Sequence, residues 1–202
     1  RLIPHYDLAR PKKPVREPYW CIKHKRICAP IDEAFKFIRR YSLDTIKRIK
    51  QFDKIRTSAF IKIYQGDART IKLPSDLKID GIFTSPPYVG VIDYHEQHRY
   101  AYELFDFPRQ DELEIGPARN GQSENAKKEY QQGISEVFKN VSKYLVDDAK
   151  IFVVANDKFG LYPEIGKLCG FKLIDIFHRP VLMRTERDSN KYFESIFYFK
   201  KG

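Results

Sequence analysis

Long apolar runs, cysteine and methionine are scarce in this chain, and each shortage narrows what it can be. No stretch approaches the roughly 18 consecutive apolar residues that cross a bilayer, and no signal-peptide pattern is present, so no membrane association and a cytoplasmic setting are expected. Three cysteines (Cys21, Cys28 and Cys169) form an odd, sparse set that argues against a disulfide framework. Cys21, His24 and Cys28 supply three local zinc ligands where a structural site normally uses four. His5 would complete the set, but buried or free thiols are the expectation, and no metal site is assigned. The one methionine is Met183 and the chain begins at Arg1, so an intact translation product with its start residue is not expected.

Acidic residues are short in one region only. Residues 1–60 hold 16 Lys/Arg against 6 Asp/Glu, whereas residues 61–202 hold 21 of each, so the net charge of +10 sits in the first segment. Such a footprint suits a polyanion, because each basic side chain at a phosphate releases a counterion. A solvated, basic helical face accounts for the same charge equally well.

The 202 residues suffice for one α/β domain, or one domain with an appendage. Residues 1–29 contain Pro4, Pro11, Pro14 and Pro18 without apolar periodicity and read as an irregular basic arm. Pro30, Asp32 and Glu33 suit a first helical turn, and Ile31, Ala34, Phe35 and Ile38 predict a helix to about Tyr41. Ser42 is placed to cap a second helix that buries Leu43, Ile46, Ile49 and Phe52.

Beyond residue 58, strands and helices alternate as in a mostly parallel sheet. Strands are expected at Ala59–Tyr64, Asp80–Thr84 and Lys150–Ala155, with helices over His95–Phe105, Lys128–Leu145 and Tyr162–Cys169. Phe171–Met183 and Tyr192–Lys200 should pair as an antiparallel hairpin at one edge, joined by the charged loop 184–191. The polar stretch 114–125 and the loop 184–191 suit either nucleic-acid contact or plain exposure.

In open α/β sheets, ligands bind at the carboxyl ends of strands. Here those ends carry Gly66-Asp67-Ala68, then Ser85-Pro86-Pro87-Tyr88, then Asn156-Asp157. Turn-forming Asp and Asn occur at strand ends for local reasons too, and Asn156-Asp157 is open to that reading. The second element is more specific. Proline lacks an N–H and pushes the preceding residue toward extended conformations, so the chain must leave the sheet in a stiff loop.

Thr-Ser-Pro-Pro-Tyr after an apolar strand, with Gly-Asp-Ala upstream, resembles motif IV of the methyltransferases that modify exocyclic amino groups of bases in DNA. The continuation VGVIDYHEQHRYAYELF resembles the region that follows that motif. The chemistry of the residues agrees. An exocyclic amine is a poor nucleophile because its lone pair is delocalised into the ring. A site accepting hydrogen bonds from both N–H groups draws the nitrogen toward sp³ geometry. Ser85 Oγ and the Pro86 carbonyl are suitable acceptors, and the prolines keep that carbonyl out of the ladder. Tyr88 offers a face for stacking on a base flipped from the duplex. Neither a metal nor a covalent enzyme intermediate is needed.

The resemblance implies a Rossmann-like, S-adenosylmethionine-dependent methyltransferase fold, present in part as its third to seventh strands. Residues 59–202 would be the catalytic, substrate-side subdomain, and residues 1–58 a basic, largely helical region contacting DNA or joining a missing half. By resemblance, Ser85, Pro86, Pro87 and Tyr88 are catalytic, and Gly66, Asp67 and Ala68 bind the cofactor, Asp67 through the adenine amine. Asp93, Tyr94, His95 and Arg99 are candidates for the base pocket or DNA backbone, although Tyr94, Tyr100 and Tyr102 also suit a core. Serine at position 85 resembles the N4-cytosine members more than the N6-adenine members. RNA base methyltransferases and a non-catalytic DNA-binding subunit of a split enzyme are the alternatives. One departure is plain: ten glycines include no Gly-x-Gly, so the glycine-rich cofactor loop is absent. A complementary polypeptide or missing segment carrying it is expected, beside double-stranded DNA and a paired restriction enzyme as partners.

Overall fold

The computed structural model describes residues 19–21, 26–28, 34–181 and 192–202. Contacts divide the chain into two compact units, residues 1–62 and 63–202. In the first, β1 (Tyr19–Cys21) pairs antiparallel with β2 (Arg26–Cys28), and α1 spans Ala34–Asp53. The basic arm before residue 19, the start at Pro30, and His5 and His24 lie outside the described residues, as does the loop 184–191.

Two expectations fail in this unit. Helix α1 runs unbroken through Ser42, which is therefore a helix-interior residue and not a cap. A capping residue type alone does not stop a run of good helix formers such as Leu43, Lys47 and Arg48. The stripe Leu43, Ile46, Ile49 and Phe52 is exposed and not buried. Amphipathic spacing defines a face without supplying a surface to cover it.

The second unit is a mixed α/β arrangement. Its strands are β3 (Ile79–Thr84), β4 (Leu145–Ala155), β5 (Phe171–Val181) and β6 (Tyr192–Lys201), in the order β3-β4-β6-β5. Only β3 and β4 are parallel; β4–β6 and β5–β6 are antiparallel, so the sheet is not mostly parallel. The C-terminal hairpin forms as expected, with β6 inside and β5 at the edge. Helices α2 (Tyr94–Gln97) and α3 (Arg99–Phe105) follow β3, α4 (Glu124–Ser142) precedes β4, and α5 (Tyr162–Leu168) precedes β5. Ser123 caps α4 by accepting from Ala126 N. None of the described helices is long and apolar enough to cross a membrane.

Residues 59–64 form no strand, so the described residues from 59 onward hold four strands where five were expected. Phe60, Ile61 and Ile63 are 79–88% exposed. The segment has strand-like residue types but no neighbouring strand to accept its ladder, and β-propensity has little force without that pairing.

The core lies between the sheet and α4 and α5. Ile151, Val153 and Ala155 of β4 are fully buried, with Phe197 and Phe199 of β6 beside them. Ile134 and Phe138 of α4 and Ile165 of α5 close over them. Each fully buried large side chain contributes about 1.5–3 kcal/mol. That rigid layer holds the strand ends from which the candidate site is built.

Candidate active site

Thr84 pairs with Val153 in the parallel β3–β4 ladder, so Ser85 and Asn156 leave the sheet at the same, carboxyl end. The chain departs at Ser85 because the two following prolines cannot donate to a ladder. Ser85 is exposed, Pro86, Pro87 and Tyr88 are half-buried, and Val89 is buried. The loop is fastened from several sides. Tyr130 Oη donates to the Pro87 carbonyl at 2.8 Å, and Tyr88 Oη donates to Glu194 Oε1 at 3.1 Å. Gly90 N donates to Gly116 O at 2.9 Å, and Gln122 Nε2 to Val89 O at 3.2 Å. Gly90 and Gly116 have φ near +65°, and a Cβ at Gly90 would collide with the Gly121 carbonyl oxygen. Glycine is therefore required where these two loops meet. Among the described residues, neither the Ser85 hydroxyl nor the Pro86 carbonyl is engaged in a hydrogen bond.

Asp67 lies beside this loop on the turn before β3. Its carboxylate receives Arg69 Nε at 3.0 Å and an Arg69 terminal nitrogen at 2.7 Å, and Arg69 N donates to it at 2.9 Å. The Arg69 side-chain hydrogen bonds hold the Asp67 carboxyl below its ordinary range. The same guanidinium reaches the Leu113 carbonyl at 3.3 Å. An open cleft of about 660 Å³ is lined by Gly66, Asp67, Ala68, Pro87, His95 and Glu114 among others. His95 contributes a buried Nδ1 with no hydrogen-bond partner among the described residues, while its backbone N–H donates to Glu114 Oε1 at 2.7 Å. The cleft has room for a group the size of a purine, and the Asp67 carboxylate oxygens carry more lone pairs than Arg69 engages. The described residues include no glycine-rich loop for the amino-acid end of S-adenosylmethionine.

Of the residues expected in the site, Gly66, Asp67, Ala68, Pro87 and His95 share this cleft. Asp93 accepts from Arg119 N at 3.1 Å and so anchors the neighbouring loop. Tyr94 is half-exposed at the start of α2, and Tyr100 is 64% exposed, which removes it from the core. Arg99 pairs with Glu96 of α2 at 3.3 Å and Glu103 of its own helix at 3.4 Å, joining the exposed faces of the two short helices. Asp157 is a local cap: its two oxygens accept from Leu161 N at 2.7 Å and Tyr162 N at 3.0 Å. Asn156 lines a second cleft, of about 370 Å³, with His178, Phe193 and Ser195.

Several residues essential to this geometry were not foreseen. Arg109 joins Glu96 to Asp111, and Arg119 joins Glu114 at 2.6 Å to the Asp111 carbonyl. Together they tie the segment 109–119 to the helix after the proline loop. The density of Arg, Asp and Glu in that segment was the available signal. Tyr130, Tyr162 and Glu194 had none, being ordinary members of a helix stripe or a strand.

Fold and site define a mixed α/β protein with an open cleft at the carboxyl end of a parallel strand pair. Over 209 aligned residues the chain is 53% identical to the type II methyltransferase M.MjaII of Methanocaldococcus jannaschii, a match covering 97% of this chain and 39% of that protein. The chain thus spans well under half the length of this curated relative. No family model and no solved structure matches it.

Proposed function

We propose that this chain is the substrate-side part of a DNA methyltransferase that transfers a methyl group from S-adenosylmethionine to the exocyclic amine of a flipped base, N4 of cytosine being favoured by Ser85. The fold in this reading is a partial Rossmann-like methyltransferase fold. The observation that carries it is the Ser85–Tyr88 loop at the end of β3, in which Ser85 Oγ and the Pro86 carbonyl are unengaged among the described residues and Pro87 lines the cleft that contains Asp67. The 53% identity to a type II methyltransferase supports the same reading.

Ser85 and the Pro86 carbonyl accept the two N–H groups of the target amine and release its lone pair for attack. Tyr88 stacks on the base, its tilt fixed through Glu194. Asp67, held by Arg69, accepts from the adenine amine of the cofactor. The bound cofactor supplies an electrophilic sulfonium methyl. The basic residues of α1, among them Arg39, Arg40, Lys47 and Arg48, bind the DNA backbone. A complementary polypeptide or segment carries the glycine-rich loop, and a restriction enzyme of the same specificity is its counterpart.

Incubating the intact gene product with DNA and methyl-labelled S-adenosylmethionine, then digesting to nucleosides, tests this reading. N4-methylcytosine is expected. N6-methyladenine would correct the base alone, label in RNA only would correct the substrate, and DNA binding without transfer to any nucleic acid would overturn the enzyme.

A further inference from the structure

The Pro87 carbonyl is not left to chance. Tyr130 on α4 donates to it at 2.8 Å, and the Tyr130 and Tyr162 hydroxyls are 2.6 Å apart. Both phenols are 2% exposed, and burial pushes both well above the ordinary tyrosine value, so they stay neutral. Proton counting fixes the direction of the chain. A carbonyl only accepts and a phenol has one proton, so Tyr130 must donate to Pro87 and Tyr162 must donate to Tyr130. Tyr162 is held in turn by its N–H on Asp157, at 3.0 Å, and by stacking on Phe197 with 5.2 Å between ring centres.

The Pro87 ring fixes its own φ, so the peptides carrying the Pro86 and Pro87 carbonyls are joined through a residue with a single soft dihedral. Fixing the Pro87 carbonyl on α4 therefore restricts where the neighbouring Pro86 carbonyl can point. We propose that Tyr130 and Tyr162 are positioning residues that aim the Pro86 carbonyl and Ser85 hydroxyl at the substrate amine, acting in series through the Pro87 carbonyl. This rests on the function proposed above. Tyr130 touches neither substrate nor cofactor; its effect passes through the loop.

The inference is tested with Tyr130→Phe, Tyr162→Phe and the double variant in the intact gene product. Methyl transfer is measured over a range of DNA concentrations, at a temperature where denaturation curves show each variant fully folded. Tyr130→Phe is expected to lower kcat about tenfold or more with KM for DNA nearly unchanged, since small misplacements of reacting groups have effects of that size. Tyr162→Phe should give a smaller loss of the same kind, and the double variant should be no slower than Tyr130→Phe alone. Wild-type kcat in folded Tyr130→Phe would overturn the inference, as would losses that multiply in the double variant. If Tyr130→Phe does not fold, Tyr162→Phe decides alone: unchanged kcat overturns the inference, and a lowered kcat with unchanged KM upholds it. Absence of transfer by the wild type would instead strike the proposed function.

Discussion

Tyr88 at the end of the proline loop donates its hydroxyl to Glu194 on β6 at 3.1 Å, across 106 residues of sequence. Glu194 is also paired with Arg179 of β5. The ring proposed to stack on the base is thus tethered to the C-terminal hairpin.

Tyr88→Phe keeps the ring and removes the hydroxyl that makes this tether. Hydrogen bonds to charged groups contribute about 1.5–3 kcal/mol, and the half-buried setting places this one near the lower figure. Methyl transfer should fall severalfold and stability by about 1.5 kcal/mol. Tyr88→Ala, which removes the stacking face, should reduce transfer by about two orders of magnitude. Equal activity of the two variants in a single-turnover assay would show that the ring does not stack.

Ser85 is exposed and unengaged, so replacing it leaves the packing intact. Ser85→Ala should change the unfolding midpoint hardly at all, within about 0.5 kcal/mol, while transfer drops by about 100-fold or more. A variant that transfers normally would remove Ser85 from the site.

Much of the fold was legible where apolar residues alternate beside a ready partner. The hairpin of β5 and β6, the strand that ends on Ser-Pro-Pro-Tyr, and the helix over Tyr162–Leu168 all appear within a few residues of their expected limits. The segment 59–64 has the same kind of sequence and fails as a strand, because pattern records which side chains are apolar and not whether another strand lies alongside. Leu43, Ile46 and Ile49 fail as core residues for the matching reason on a helix. In the site, the proline loop and the Gly-Asp-Ala turn were visible as motifs. Tyr130 was invisible because its partner lies 43 residues away and its spacing on α4 reads as ordinary core.

Gly116 tests how closely the two loops must approach. With φ at +65° it sits where side chains are strained, and a Cβ there would lie 2.5 Å from Cδ2 of Tyr130. Gly116→Ala should destabilise by about 1–3 kcal/mol and displace the Tyr130 ring. Gly160 has the same backbone sign, φ at +66°, but nothing within 4 Å of a Cβ. Gly160→Ala should therefore cost only the backbone term, about 1 kcal/mol. Comparable midpoints for the two variants in denaturant would mean that the Tyr130 contact gives way freely.

The Asp67–Arg69 pair predicts a pH signature. Arg69 hydrogen bonds depress the carboxyl's folded-state value below its unfolded one, so the unfolded chain takes up a proton at higher pH than the folded chain does. The stabilisation is complete above the ordinary aspartate range and is lost as pH falls through the depressed folded value. Arg69→Gln should remove it. The stability difference between wild type and Arg69→Gln, measured by urea unfolding, should be constant from neutral pH down to about pH 5, then shrink on further acidification. Cofactor affinity, which is proposed to use the same carboxylate, should weaken in parallel because an unfixed Asp67 must be ordered on binding. A gap that widens on acidification would mean that the carboxyl is raised and not depressed, and would remove Arg69 as its anchor.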